Sequence, residues 1–436
     1  MIGDIVMRLK APLYAQIELT MACPLQCNHC YNPDRFSDGV PTTVKKEPLK
    51  KERFPEIAKI LANNEVFAVT LTGGEILTVR DRLYPTIEVL AREGLEVTLN
   101  SSLFSLRGDD VLRLKDSGIT GVMTSLMSYN EETHDRLAHR QGAHRQTVRG
   151  IEQLQKNGIS VAVNMVVSQN NKHHVYPTGT FLASLGVTRF QAAQAVPSTS
   201  GGTLHLNNAL SLDDITTFLE DVHRLREKTG MFAKLTIPIP YCSVWEDRPH
   251  LRYLLETSTC TAGRSIIQIT PDGNVEPCPM VEQGYGNILE EDLSVIWDRM
   301  HEWEDNVYVP ESCQPCDLVS ICRGGCRAEA EREVGSLKSK HPYSVKPVKL
   351  NQVRYSLEVG SQFSVIPGIR ARQEDDTRYV LYSQNRFMIV NEGGARFIRQ
   401  VQKEGGLYVD SDLARNNVAS NLVMSAYHSG ILGREN

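Results

Sequence analysis

The chain has 436 residues, of which 41% are hydrophobic and 23% are charged, and its formal net charge is −5. This length predicts about three domains, and the mildly acidic balance gives no basic footprint for nucleic acid. No apolar run reaches the ~20 residues of a membrane span, and the first residues contain no apolar core of a signal peptide. Ten cysteines in short spacings favour a reducing compartment and metal binding over disulfides. We therefore expect a cytoplasmic protein with no nucleic-acid partner and no membrane partner.

The first predicted element is an alternating, strand-like segment at residues 15–20, and a cysteine-rich loop follows it. Cys23, Cys27 and Cys30 have a C-x3-C-x2-C spacing. Three thiolates on one tight loop can hold three irons of a [4Fe–4S] cube, which leaves the fourth iron without a protein ligand. The odd number argues against a disulfide framework. Zinc is the weaker alternative, because structural zinc sites usually use four protein ligands.

A second strand, apolar throughout, is predicted at residues 67–72 and ends at Gly73, Gly74 and Glu75. Two glycines let a backbone approach a ligand closely, and a carboxylate beside them can accept a hydrogen bond from an ammonium group. A turn of this kind is common at strand ends. Its position about 45 residues after the three cysteines makes it informative.

Further short strands are predicted at residues 95–100, 121–126, 161–167 and 187–193. Polar residues stand at or near the C-terminal ends of the first three of these strands, where (β/α) barrels build their reactive face. The alternative is that these side chains only cap turns. The residues are Asn100, Ser102, Ser125 and Asn164.

Helices are predicted at residues 83–93, 109–117, 146–157 and 213–228. Strands that alternate with helices from about residue 10 to residue 230 predict a parallel sheet.

The cysteine loop and the Gly-Gly-Glu turn resemble those of the radical S-adenosylmethionine (SAM) enzymes. The resemblance implies an α/β fold, a partial (β/α)6, TIM-like barrel in residues 1–230. It also implies that Cys23, Cys27 and Cys30 are catalytic, because they hold the cluster whose open iron binds the methionyl group of SAM.

The same resemblance implies the contacts to SAM. Gly73, Gly74 and Glu75 would hold its amino group, and Ser125 would touch it. The carboxylate of SAM would bind an arginine that follows the His134–Asp135 pair, for which Arg140 is a better match than Arg136. His29 matches the position near the adenine. Asn100, Ser102 and Asn164 complete the expected cofactor-binding set.

A second group of cysteines follows the predicted barrel. Its spacing is C-x12-G-x4-C, then C-x2-C-x5-C-x3-C, and the strand-like residues 267–278 predict a β-hairpin with Pro-Asp-Gly-Asn at its turn. A zinc ribbon is the alternative, but six cysteines exceed the four ligands of one zinc ion. The cysteines are Cys260, Cys278, Cys313, Cys316, Cys322 and Cys326.

This pattern resembles the SPASM extension of radical SAM enzymes, which we place at residues 231–345. The resemblance implies two auxiliary [4Fe–4S] clusters. The outer cluster would use Cys313, Cys316 and Cys322, and the inner cluster would use Cys260, Cys278 and Cys326.

The segment in which the resembled family usually carries its last cysteine runs here from His341 to Ser344. The outer cluster is therefore expected to lack a fourth thiolate. Ser344, His341 or an open iron would occupy the position. Cys242 is expected either to join the inner cluster or to be a buried structural thiol.

The last segment contains no cysteine. Strands are predicted at residues 370–382 and 386–391, and a helix at 394–403 with Ala395, Ile398 and Val401 facing inward. Gly405 and Gly406 would end this helix, and Ser411 and Asp412 would cap the next one. Residues 365–436 resemble a PqqD-like peptide-recognition domain, a small winged-helix-like α+β module. Its sheet edge would take up a leader peptide as an added strand; a generic α+β domain is the alternative.

Together these resemblances imply a radical SAM/SPASM maturase with three [4Fe–4S] clusters. It would cleave SAM to a 5′-deoxyadenosyl radical and take hydrogen from a ribosomally made precursor peptide, giving a crosslink, thioether or epimer. An external electron donor of the flavodoxin or ferredoxin type is implied as a partner. The alternatives are oxidation of a small molecule such as a tetrapyrrole, and a zinc-binding scaffold without chemistry.

Overall fold

The protein is described from a computed structural model. The described residues are 8–31, 49–197, 209–244, 246–349, 357–384 and 386–435, with the backbone of 36–37 and 40–41. They divide into two compact units, one that extends to Val348 and one that begins at Lys349. None of the described helices is both long and apolar enough to cross a membrane.

The first unit alternates strands with helices along most of its length. The strands are β1 (Tyr14–Thr20), β2 (Phe36–Ser37), β3 (Val40–Pro41), β4 (Ala68–Gly73), β5 (Glu96–Asn100), β6 (Gly121–Ser125), β7 (Ser160–Val167), β8 (Arg189–Gln194), β9 (Phe232–Leu235), β10 (Ile266–Ile269) and β11 (Val275–Glu276). The helices are α1 (Phe54–Asn63), α2 (Arg80–Arg92), α3 (Asp110–Asp116), α4 (Glu131–Ala138), α5 (Ala143–Lys156), α6 (Val175–Ser184), α7 (Leu212–Thr229), α8 (Arg252–Glu256), α9 (Leu293–Arg299), α10 (His301–Glu304), α11 (Val319–Cys322) and α12 (Arg327–Val334).

Nine of these strands form one sheet in the order β11-β10-β1-β4-β5-β6-β7-β8-β9. Every neighbouring pair is parallel except β10 with β11. The central strands β5 and β6 alternate buried residues, such as Val97, Leu99 and Val122, with half-exposed ones, so one face of the sheet is packed more tightly than the other. The predicted α/β class and parallel barrel sheet are confirmed.

The sheet continues beyond the end that the sequence predicts. Strand β9 pairs with β8 in parallel, and it lies just beyond the predicted domain boundary at residue 230. Strand β10 pairs with β1 in parallel, with Tyr14 opposite Ile266 and Ile17 opposite Ile269. The predicted hairpin at 267–278 therefore extends the barrel sheet, because buried β1 needs a hydrogen-bonding partner on each side.

The helix ends follow local chemistry. Helix α7 begins with a capping box between Ser211 and Asp214 and ends at Gly230, which has φ +67°. Helix α5 begins at Ala143 rather than at residue 146, after Gly142 in the left-handed region. Its buried residues include Ile151 and Leu154, so these side chains form part of its packed face.

The second unit contains two small antiparallel sheets and three helices among its described residues. Its elements are β12 (Gln362–Val365), β13 (Arg370–Gln373), β14 (Arg378–Ser383), β15 (Arg386–Asn391), α13 (Glu392–Glu404), β16 (Leu407–Tyr408), α14 (Ser411–Arg415), α15 (Asn417–His428) and β17 (Leu432–Glu435). The sheet orders are β16-β12-β17 and β13-β14-β15.

Helix α13 packs its inner face into the core of this unit. Ala395, Ile398 and Val401 are each at most 2% exposed, which confirms the predicted inward face. The helix ends at Gly405 in the left-handed conformation. The cap of α14 is Asp410 and not the predicted Ser411, since the Asp410 carboxylate accepts hydrogen bonds from the next N–H groups and the helix already begins at residue 411.

Candidate functional site

The loop that follows β1 carries the first three cysteines. Cys23, Cys27 and Cys30 are half-buried thiols, and the Cys30 N–H donates to the Cys27 carbonyl oxygen at 3.1 Å. The loop stands at the C-terminal end of β1, which is the end where parallel strands of a barrel place their reactive groups.

The C-terminal end of α4 supports this loop from one side. The Gln26 N–H donates to the Ala138 oxygen at 3.2 Å, and the Asn28 N–H donates to the Leu137 oxygen at 3.1 Å. Leu25 packs in an apolar cluster with Ala138, and two of the thiols lie against that cluster. The three cysteines are therefore fixed by backbone bonds and not only by the loop itself.

Gly73 and Gly74 bring the end of β4 against the chain just before Cys23. The Gly74 N–H donates to the Thr20 oxygen at 2.6 Å. A Cβ atom on Gly73 would stand 2.2 Å from the Thr20 oxygen, and one on Gly74 would stand 1.9 Å from the Ala22 oxygen. No side chain fits at either position, so the glycines are needed for contact between backbones, in addition to any contact with a ligand.

Glu75 is fully buried, and its carboxylate holds the loop after β5. One oxygen accepts from Ser101 Oγ at 2.7 Å and from the Leu77 N–H at 3.1 Å. The other accepts from the Ser102 N–H at 2.9 Å and from the Ser102 hydroxyl. Its observed role is to position the residues around it, and the ammonium contact expected of Glu75 stays a prediction.

The other polar residues expected at strand ends lie on neighbouring strands. Ser125 on β6 stands opposite Asn164 on β7, and Asn100 ends β5 beside them. The Asn164 side-chain oxygen accepts from Thr236 Oγ1 at 3.1 Å. The side-chain oxygen of Asn100 is buried and makes no protein hydrogen bond. An unsatisfied buried acceptor is costly, and a bound ligand with a donor group would satisfy it.

The His134–Asp135 pair organises the turn before α5. The Asp135 carboxylate accepts from the Gly142 N–H at 2.5 Å and from the His144 N–H at 2.8 Å. Arg140 is exposed within this turn. Its guanidinium carbon lies 5.1 Å from the centre of the Phe104 ring.

Two histidines near the cysteine loop are held neutral. Burial lowers the pKa of half-buried His29 to about 4, so its ring offers an uncharged surface. Burial also lowers the pKa of His134 to about 3, and its Nδ1 accepts a hydrogen bond from the Met127 N–H at 3.1 Å. Sequence reasoning used His134 only as a marker for the arginine.

A buried ion pair that the sequence analysis missed supports the loops behind the site. Arg80 donates to both carboxylate oxygens of Asp110, at 2.8 and 2.6 Å, and to the Ser105 oxygen at 2.6 Å. The Tyr84 hydroxyl donates to the same carboxylate at 2.5 Å. Arg80 and Asp110 lie 30 positions apart in the chain, so the sequence gives no local sign that they pair. The one feature that could have indicated a supporting role is the position of Arg80 shortly after the turn at the end of β4.

Beyond the barrel, four thiols line one cavity of about 280 Å³. They belong to Cys242, Cys313, Cys316 and Cys322, and Ser344 is also in the lining. Backbone N–H groups point at three of the sulfurs, and such hydrogen bonds tune the potential of an iron–sulfur cluster. The bonds run from Tyr241 to Cys322 at 3.2 Å, from Val345 to Cys242 at 3.3 Å and from Val348 to Cys316 at 3.2 Å.

The remaining three cysteines form a separate group. Burial raises the pKa of Cys278 to about 12, and the nearby Cys260 thiol adds to this effect. Burial likewise raises the pKa of Cys326, whose charged neighbours include Glu329, Cys260 and Cys278. Binding of a metal would lower the pKa of these thiols again, because cysteine binds metals as the thiolate.

Buried arginines accompany both groups. Burial lowers the pKa of Arg327, and thiols of both groups, Cys313 and Cys326 among them, oppose the shift. Burial lowers the pKa of Arg332 next to Cys278 in the same way. These cations would offset the negative charge that thiolates and clusters bring into a buried site.

His341 is fully buried and does not line the cavity that holds Cys242. Its Nε2 lies 3.1 Å from a carboxylate oxygen of Glu329, and its Nδ1 accepts from the Tyr343 N–H at 3.2 Å. Both ring nitrogens have protein partners, so the geometry gives no support to His341 as a cluster ligand.

The donor sets fit clusters better than single ions. Among the described residues, no three His, Cys, Asp or Glu side chains converge on one metal-ion position. The thiolates of a [4Fe–4S] cube each bind a different iron and therefore do not converge in this way. Loops rich in thiols, with N–H groups and buried arginines around them, suit such clusters.

Comparison with known proteins agrees with this arrangement. Residues 17–178 match the family described as Radical SAM superfamily, and residues 260–317 match the family described as Iron-sulfur cluster-binding domain. A relative named AdoMet-dependent heme synthase from Oleidesulfovibrio alaskensis is 24% identical over 74% of this chain and 85% of its own length. A relative named PqqA peptide cyclase from Bradyrhizobium diazoefficiens is 26% identical over 76% of this chain and 85% of its own length.

The fold is also found in solved structures. The crystal structure of SuiB from Streptococcus suis has a TM-score of 0.62 and 18% sequence identity, and the match covers 77% of each chain. SuiB has also been solved with S-adenosylmethionine and with its precursor peptide SuiA. At this level of identity the likeness concerns the fold alone.

Proposed function

We propose that this chain, which is a radical SAM enzyme with a SPASM iron–sulfur domain, takes a hydrogen atom from a ribosomally made precursor peptide. The product would contain a crosslink, a thioether or an epimerised residue. The relative named PqqA peptide cyclase supports a peptide substrate, and the C-terminal unit is the observation that carries the proposal.

The sheet β13-β14-β15 offers an edge for an added strand. In the described part of the chain, β15 pairs with β14 only. Met388 and Val390 point into the core, whereas Phe387 and Ile389 are half-exposed on the other face. An apolar edge strand left uncovered is a template for pairing with another chain. Strand addition obtains its affinity from main-chain hydrogen bonds and its selectivity from contacts with alternate side chains.

The opposite edge of the same sheet is less suited to this role. Strand β13 alternates exposed Ala371 and Gln373 with buried Arg372, and Arg372 forms an ion pair with Glu374 at 2.6 Å. Inward-pointing charges of this kind protect edges from pairing. We therefore assign leader binding to β15 within the PqqD-like module of residues 365–436.

The barrel residues have distinct proposed tasks. Cys23, Cys27 and Cys30 would hold the cluster, and Asn100 would give its unsatisfied oxygen to a donor group of SAM. Arg140 would bind the SAM carboxylate. When bound, the reduced cluster and SAM supply a 5′-deoxyadenosyl radical that removes hydrogen from an unactivated carbon. A flavodoxin or ferredoxin would supply the electron.

The SPASM cysteines would hold two auxiliary clusters, so that the chain carries three in all. Ser102, Ser125 and Asn164 would complete the cofactor-facing rim at the strand ends, with His29 next to the adenine. These assignments are what the resemblance implies, and the position of Ser125 beside Asn164 at the C-terminal edge of the sheet supports them.

Truncation tests the role of the C-terminal unit. A chain that ends after Lys349 keeps every proposed ligand, as well as Val348, which contacts the Cys316 sulfur. It should retain its iron and its SAM cleavage, lose affinity for the leader by tenfold or more (about 1.4 kcal/mol), and stop modifying the peptide. Equal modification of the full-length peptide by the truncated and intact enzymes would refute leader binding by this unit.

A tetrapyrrole substrate is the second candidate, because one relative is named AdoMet-dependent heme synthase. That function requires no peptide-binding edge. Mass spectrometry of a carboxylated tetrapyrrole after incubation with enzyme, SAM and reductant separates the two candidates. Turnover of the tetrapyrrole without turnover of the peptide would favour this second function.

A further inference from the structure

The ten cysteines of the chain do not divide among three clusters in the way that their order suggests. Three lie on the loop after β1, which leaves seven for two auxiliary clusters. Full thiolate ligation of two cubes takes about eight. One auxiliary cluster must therefore lack a thiolate, and the sequence alone points to the outer cluster, at Ser344.

The structure places Cys242 with the outer thiols. It lines the same cavity as Cys313, Cys316 and Cys322. The Tyr241 N–H, directly before Cys242 in the chain, donates to the Cys322 sulfur at 3.2 Å. Cys242 therefore shares one cavity with the outer thiols, and its own segment contacts one of them.

The surroundings of Cys242 point the same way. The Val345 N–H donates a hydrogen bond to the Cys242 sulfur at 3.3 Å, and Ser344 lines the same cavity. Cys316 is another charged neighbour of this thiol. The lining of the cavity that contains Cys242 does not include Cys260, Cys278 or Cys326.

We propose that Cys242 is the fourth thiolate ligand of the outer auxiliary cluster, and that the position without a cysteine belongs to the inner cluster of Cys260, Cys278 and Cys326. The sequence-based expectation was different: Cys242 would either join the inner cluster or be a buried structural thiol, and the outer cluster would lack a fourth thiolate. The inference rests on the presence of the auxiliary clusters and not on the identity of the substrate.

The local geometry explains how Cys242 can take the place of the cysteine that is missing at position 344. A short 3₁₀ turn, Tyr241–Ser243, brings the Cys242 thiol next to Ser344, the position from which the sequence pattern expects a cysteine. The chain supplies the ligand from the segment before the SPASM hairpin instead of the segment after it. Ser344 then lies beside a cluster ligand but is not itself required as a ligand.

The consequence concerns the chemistry of each cluster. Four thiolates saturate the outer cube and suit it to electron transfer. An inner cube with three thiolates has one iron whose remaining ligand is an oxygen, a nitrogen or an exogenous group, and this changes its potential. The Glu329 carboxylate, which is a charged neighbour of Cys326, already accepts a hydrogen bond from Gln194 and lies against His341.

Two cysteine backgrounds separate the clusters. Both carry alanine at Cys23, Cys27 and Cys30, which leaves the auxiliary clusters only. The outer-only background adds Cys260→Ala and Cys278→Ala, and the inner-only background adds Cys313→Ala and Cys316→Ala. Iron content and the electron paramagnetic resonance (EPR) spectrum of the reduced protein are measured in each, with and without Cys242→Ala.

In the outer-only background, Cys242→Ala should lower the iron content from about four per chain or change the EPR signal of the cluster that remains. In the inner-only background the same change should leave both unaltered. Unchanged iron and spectrum in the outer-only background, or loss of iron in the inner-only one, would overturn the proposal.

A rescue variant guards against misfolding. In the otherwise native chain, Cys242→Ala should perturb the auxiliary EPR signals, and Cys242→Ala with Ser344→Cys should restore them, because the new thiol stands beside the lost one. A thiol with a merely structural role would not be replaced from position 344. Failure of the double variant to restore the signal, in protein whose circular dichroism matches the native chain, counts against the proposal.

Discussion

Glu75 acts on the scale of single hydrogen bonds. Its four donors come from the turn that it begins and from the loop after β5. The residue therefore fixes two strand ends relative to each other at the edge where the cysteine loop stands. Its effect on SAM would follow from this positioning as well as from any direct contact.

Glu75→Gln tests that role. One oxygen becomes an NH2 group that faces a donor, so the buried Ser101 hydroxyl or Ser102 N–H loses its acceptor. We expect a loss of about 1–3 kcal/mol in the free energy of unfolding, together with weaker SAM binding. Denaturant titration and equilibrium SAM binding measure the two effects.

The matched control is Glu93→Gln, which removes the charge of an exposed glutamate at the end of α2. It should change neither quantity beyond about 0.5 kcal/mol. Equal behaviour of the two variants would show that the Glu75 hydrogen bonds do not hold the site.

His134 gives a pH dependence with a definite sign. Its folded pKa lies near 3 because of burial, and the unfolded value is about 6.5. Between these values the unfolded chain binds a proton that the folded chain does not. The contribution of neutral His134 to the free energy of unfolding is complete above about pH 6.5. It is lost as the pH falls below that value, by about 1.4 kcal/mol per pH unit.

Unfolding free energies measured from pH 7.5 to pH 5.5 should therefore fall more steeply for the native chain than for His134→Gln. His301→Gln, at an exposed histidine, should keep the native slope. A native slope that persists in His134→Gln would exclude this histidine as the source.

On the scale of secondary structure, the proposed peptide recognition depends on the edge of β15. Ile389→Lys places a charge on its half-exposed face, where a bound leader would lie. We expect leader affinity to fall about tenfold, or about 1.4 kcal/mol, as measured by fluorescence anisotropy of a labelled leader. The control is Ala371→Lys, at an exposed position of β13, and this variant should bind the leader with native affinity. Equal losses of affinity in both variants would refute the choice of edge.

Prediction from sequence succeeded where the signal was local. The apolar runs gave the strands β1, β4, β5, β6 and β7, and the strand-end residues Ser125 and Asn164 do stand side by side. It failed where partners are distant in the chain. Nothing local marks Cys242 as a neighbour of Cys313, or β10 as a neighbour of β1, because these contacts depend on how the whole unit packs.

On the scale of the whole molecule, the predicted barrel and SPASM segments share a single sheet. Strand β10 pairs with β1, and the buried Trp297 donates from its indole N–H to the Leu9 oxygen at 2.8 Å. Elements that share a sheet and a core usually unfold together. The first unit should thus behave as one cooperative body.

This cooperativity can be measured because all three tryptophans fall between residues 245 and 303. Tryptophan fluorescence reports the SPASM segment, whereas far-UV circular dichroism is dominated by the barrel helices. Ile267→Ala, a fully buried substitution in β10, should shift both transitions together and cost about 2–5 kcal/mol. Separate shifts would mean that the two segments fold independently.

The proposed function is radical SAM chemistry on a precursor peptide. The most direct test is mass spectrometry of a peptide encoded beside the gene, after anaerobic incubation with the iron-loaded enzyme, SAM and reductant. We expect 5′-deoxyadenosine together with a peptide that has lost hydrogen, or, if the product is epimerised, a peptide that has taken up deuterium when the incubation is done in D2O. SAM cleavage by the Cys27→Ala variant at the native rate, or an unaltered peptide beside a converted tetrapyrrole, would contradict it.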